Sequence, residues 1–80
     1  MKVPRDLSGL ELAKLLRALG YETVRQTGSH LRLTTRQGGE HHLTIPNQSP
    51  LKLGTLGGVL LDVGRHFGMT REELLSNLLE

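Results

Sequence analysis

The sequence predicts an α+β fold: a three-stranded antiparallel sheet with helices on one face. Two observations carry this. Apolar residues recur at helical spacing near both ends of the chain and alternate with polar ones in its middle. The changes of period fall at glycine-containing turns.

The first helix opens at Ser8. Ser8-x-x-Glu11 reads as a capping box, in which each side chain satisfies the other residue's backbone N–H. Leu12, Leu15, Leu16 and Leu19 then form one apolar stripe, and Gly20 stands where a left-handed cap stops the helix.

Residues 22–26, with Thr23 and Val24, read as a short strand, and Thr27-Gly28-Ser29 as a tight turn. In residues 30–34, Leu31 and Leu33 share one face, with His30, Arg32 and Thr34 on the other. Arg36-Gln37-Gly38-Gly39 makes a second turn. Residues 40–45 alternate again, pairing Leu43 with Ile45, and Pro46 ends the run. Such short connections predict a meander.

A second helix begins within residues 52–55. Its stripe is Leu56, Val59, Leu60, Val63 and Phe67. Gly57, Gly58 and Gly64 weaken it by up to about 1 kcal/mol each relative to alanine. Gly68 closes it. Thr70-x-x-Glu73 is a second capping box, opening a short C-terminal helix with Leu74, Leu75, Leu78 and Leu79. The order α-β-β-β-α, with that last short helix, is the double-stranded-RNA-binding-domain type of arrangement. Two amphipathic helices cover one sheet face, and the other stays open to water.

Eighty residues predict one domain spanning 1–80 and one modest core. The absence of cysteine excludes disulfides, thiolate catalysis and cysteine-based zinc sites. No apolar run approaches the roughly 18 residues that span a membrane. The opening residues turn charged at once, which predicts no secretory leader and a cytoplasmic protein. Net charge is +2, yet residues 12–65 hold seven lysines and arginines against three acids, leaving +4 there. That balance suits an anionic partner such as nucleic acid.

Strand parity places Thr23, Arg25, His30, Arg32, Thr34, His42 and Thr44 on the open face. Arginine clamps phosphate, and histidine moves protons near neutral pH. Together they suit a metal-independent ribonuclease. A base takes the 2′-hydroxyl proton, an acid protonates the leaving 5′-oxygen, and cations hold the phosphate. With a three-residue loop at 36–38, His42 would face Arg32 and lie diagonal to His30, about 7–8 Å away. His41 points to the core side. His41 and His42 therefore do not form a metal pair, and no metal or other cofactor is expected. His66 falls beside the helical stripe and is expected to pack. Lys52 and the helix start at Gly54-Thr55 can together hold a phosphate.

Arg25-Gln26-Thr27-Gly28-Ser29-His30 resembles the R-Q-x-G-S-H stretch of the HicA family of messenger-RNA interferase toxins. Ser8-Gly9-Leu10-Glu11-Leu12 and Leu19-Gly20-Tyr21 resemble that family's first helix and its end. Leu43-Thr44-Ile45-Pro46 is similar to its third strand, and Leu51-Lys52-Leu53-Gly54-Thr55-Leu56 to the opening of its second helix. Gly68-Met69-Thr70-Arg71-Glu72-Glu73-Leu74 is similar to its closing segment. Leu53 stands where the family often has proline, and Gly57-Gly58 where it often has a basic or polar residue.

The resemblance implies a toxin of a type II toxin–antitoxin system that acts in stress and cleaves messenger RNA. It makes His30 the catalytic residue and implies a HicB-like antitoxin covering it. Arg25, Ser29, Arg32, His42 and Lys52 are the expected RNA- or phosphate-binding residues. Two other readings stay open: a non-catalytic RNA-binding module, and an antitoxin-binding protein without nuclease activity.

Overall fold

The computed structural model describes residues 6–79. Residues 1–5, on which the expectation of no leader rests, lie outside them. Helix α1 spans Gly9–Leu16. The capping box closes as expected: Glu11 N–H donates to Ser8 Oγ at 3.0 Å, and Ser8 N–H donates to Glu11 Oε1 at 3.0 Å. The helix tightens into a 3-10 turn over Arg17–Leu19 and stops at left-handed Gly20. Gly9 is required by packing, since a Cβ there would run into the carbonyl oxygen of Pro46. Its N–H also donates to the Gln48 carbonyl at 2.9 Å. The start of α1 is thereby docked against the end of the sheet.

The sheet is a meander of β1 (Glu22–Gln26), β2 (His30–Thr35) and β3 (His41–Pro46), with β2 central and both pairings antiparallel. Helices α2 (Leu53–Phe67) and α3 (Arg71–Leu79) follow. Leu31, Leu33, Leu43 and Ile45 are buried in one core with Leu12, Leu16, Leu56, Leu60 and Val63. Leu74, Leu75 and Leu78 join it, so the leucines of α3 are core. This is the α+β architecture of the double-stranded-RNA-binding-domain type. Every residue of β1 is exposed, so the helical cover is centred on β2 and β3.

Two features depart from simple parity. A bulge at Val24 lies between the pairs Thr23↔Leu33 and Arg25↔Arg32. The extra residue reverses the parity of what precedes it. Thr23 therefore joins the helix side with Leu33, while Arg25 stays on the open face beside Arg32.

The second departure is the β2–β3 register. The loop runs over residues 36–40, longer than three residues, with Gly38 and Gly39 both at positive φ. His42 consequently pairs with Thr34, while Arg32 pairs with Thr44 and His30 with Pro46. The expectation that His42 faces Arg32 and lies diagonal to His30 is corrected. His42 is level with Thr34, four positions along β2 from His30, or about 13 Å along the sheet.

A candidate catalytic face on the open sheet

Three hydrogen bonds fix the turn that leads into His30. His30 N–H donates to Thr27 Oγ1 at 3.0 Å, and Thr27 N–H donates to the His30 carbonyl at 2.9 Å. From the β3 end, Asn47 N–H donates to the Ser29 carbonyl at 2.9 Å. The sequence alone marks Thr27 only as a turn residue. Its position three before His30 is the available signal, because threonine hydroxyls bind nearby backbone in such turns.

The His30 ring is exposed, and its Nδ1 lies 2.9 Å from Ser29 Oγ. Nε2 has no partner among the described residues. When Nδ1–H donates to Ser29 Oγ, the neutral ring presents a bare Nε2 lone pair to solvent. Gly28 is open: a Cβ there would meet nothing within 4 Å, and its φ is not positive. Neither packing nor backbone conformation demands glycine at that position.

Arg25 and Arg32 are paired neighbours on this face, and both are exposed. No carboxylate pairs with either among the described residues. His42 is differently placed. Its Nδ1 lies 2.8 Å from Thr34 Oγ1 and its Nε2 3.4 Å from Glu40 Oε2. Lys52 is the N-cap of α2, exposed and extended, with no side-chain capping bond. The loop at 47–51 separates it from the end of β3.

The remaining histidines form a cluster on the helix side. His41 Nε2 lies 3.2 Å from Asp62 Oδ1, and its Nδ1 lies 2.6 Å from the Tyr21 hydroxyl. A carboxylate only accepts, so Nε2 carries the proton. With the ring neutral, Nδ1 then accepts from the phenol. His66 stacks on His41 at 4.5 Å between centroids and donates from Nε2 to the Gln37 carbonyl at 2.9 Å. Both histidines pack, as their positions in the sequence imply. Among the described residues, no group of three or more His, Cys, Asp or Glu could hold a metal ion. No helix among them is long and apolar enough to cross a membrane.

Fold and site together define a small α+β domain that presents His30, His42 and two arginines, unpaired among the described residues, on an open sheet face. The family model of the HicA toxin of bacterial toxin–antitoxin systems matches residues 9–65, and the chain belongs to that family. The matched stretch runs from the start of α1 into α2 and includes the whole sheet. No curated protein and no solved structure matches the chain. Family membership makes it the toxin of a toxin–antitoxin pair and implies a cognate antitoxin as partner.

Proposed function

We propose that this toxin is a single-domain, cytoplasmic endoribonuclease that cuts messenger RNA with His30 as its catalytic residue and no metal. The observation that supports this best is the exposed Nε2 of His30, without a partner among the described residues, on a turn held by Thr27 and Asn47. His30 takes the proton of the 2′-hydroxyl at Nε2 while Ser29 keeps Nδ1–H in place. The 2′-oxygen attacks the adjacent phosphorus, the bond to the 5′-oxygen breaks, and a 2′,3′-cyclic phosphate remains. His42 lies too far along the sheet to serve the same phosphate, so water protonates the leaving 5′-oxygen. Arg25 and Arg32 hold the phosphate and offset its developing charge. Open space above Gly28 lets the RNA backbone approach the turn. His42 and Lys52 extend the RNA path beyond the scissile bond, and the antitoxin inhibits by covering His30.

The test is cleavage of a messenger RNA in EDTA by wild type and by His30→Ala. The wild type is expected to leave 2′,3′-cyclic ends. The variant should cut more slowly by about 10²–10⁴, the usual contribution of one general acid–base group, with an unchanged circular dichroism spectrum. Equal cleavage by the folded variant removes His30 from the mechanism.

A further inference from the structure

Away from the sheet, a groove of about 400 Å³ runs along α2 to the turn that starts α3. Gly57, Leu60, Leu61 and Met69 line it, with Arg65 and Arg71 also on its wall. Three features set it apart from ordinary surface. Leu61 is 56% exposed, a large apolar side chain left in water beside the groove. Arg65 and Arg71 are exposed, and among the described residues no carboxylate lines the groove and neither arginine is ion-paired. Gly57 lies inside a helix, where glycine costs about 1 kcal/mol relative to alanine. Yet a Cβ there would meet nothing within 4 Å. Gly64 on the same helix differs, because a Cβ there would come within 2.9 Å of the Met69 carbonyl oxygen. Internal packing accounts for Gly64; Gly57, like Gly54 and Gly58, is under no such constraint, but it alone of those three lines the groove and leaves that stretch of its wall without a side chain.

We propose that this groove is a docking site for an acidic amphipathic segment of the cognate antitoxin. One or two apolar side chains would sit against Leu60, Leu61 and Met69, and carboxylates would meet Arg65 and Arg71. Absence of a side chain at Gly57 lets the segment's backbone come close to α2. Apolar anchors flanked by charged pairs are the usual form of helix-in-groove recognition. No residue of the groove belongs to the sheet, so this contact is separate from any that covers His30. An antitoxin holding both engages the toxin at two places, and the second contact raises avidity through effective concentration. The inference rests on the partner that family membership implies and not on the nuclease reading.

The experiment is titration calorimetry of the purified toxin with its cognate antitoxin. Gly57→Leu places a side chain in the groove, and Gly58→Leu adds the same side chain on the same helix outside it. Gly57→Leu is expected to weaken binding about tenfold or more, the scale of losing one interface hot spot, while Gly58→Leu binds as wild type. Arg65→Glu/Arg71→Glu, which leaves the groove's shape intact, should weaken binding similarly and reduce its salt dependence. It also carries the test should Gly57→Leu fail to fold. Wild-type affinity in the folded charge-reversal variant overturns the proposal. So does a self-association of the free toxin that Gly57→Leu abolishes, which would make a second copy the occupant. Loss of RNA binding in these variants with antitoxin affinity intact would assign the groove to RNA and equally overturn it.

Discussion

Tyr21 shows how a single buried hydroxyl can organise its surroundings. The phenol is fully buried, donates to His41 and lies edge-on to Phe67. Burial, helped by the nearby Asp62 carboxylate, pushes its pKa up from 10.0 to about 12. A folded-state value above the unfolded one favours folding at lower pH. That contribution is intact below pH 10.0 and is lost as pH rises toward about 12. Tyr21→Phe should flatten this alkaline loss. At neutral pH it should also cost about 1–3 kcal/mol, because His41 Nδ1 loses its donor. Urea unfolding at neutral and alkaline pH checks both effects. An alkaline limb identical in both proteins would assign the loss to another group. In the proposed mechanism the Ser29 hydroxyl, 2.9 Å from His30 Nδ1, holds the ring's tautomer, so Ser29→Ala should slow RNA cleavage in a gel assay without shifting the unfolding midpoint.

Among the elements, the junction of α1 with β3 is the least forgiving. Gly9→Ala drives a methyl group into the Pro46 carbonyl and should destabilise the fold by about 1–3 kcal/mol, the usual cost of overpacking. Gly28→Ala meets no such obstacle and should stay within about 0.5 kcal/mol of wild type. Thermal unfolding of the two variants compares them directly, and equal midpoints would show that α1 can shift away from the sheet. The helices themselves were legible in the sequence, because capping boxes and leucine stripes are local patterns. Ser8 with Glu11 and Thr70 with Glu73 close as their spacing implies. The β1 bulge was not legible, since nothing around Val24 marks an extra residue until its partner strand is in place.

Across the whole molecule, apolar residues and helices occupy one side of β2 and β3, while Arg25, Arg32 and His30 occupy the other. If RNA lies across the open face, each arginine releases counterions on binding. Arg25→Ala and Arg32→Ala should each weaken binding to single-stranded RNA irrespective of its sequence. Each should also lower the slope of log affinity against log salt by about 0.7. Fluorescence anisotropy over a salt series reads this, and unchanged slopes in both variants would move the phosphate path elsewhere. The groove on α2 lies outside the sheet, so Gly57→Leu should leave those slopes unaltered.

Periodicity and capping motifs sufficed for the element order, the buried sheet face and the exposure of His30 beside a glycine turn. Each depends on residues only a few positions apart, whose spacing on a helix or strand follows from backbone geometry. Which residues meet across strands was decided only in the folded chain. A loop longer by two residues and one bulge, each governed by pairing with a neighbouring strand, moved His42 away from His30 and turned Thr23 toward the helices. The same holds for the Tyr21–His41–Asp62 contacts and the α2 groove, which join residues distant in sequence. Such contacts form only when the helices close over the sheet, and no local pattern records them.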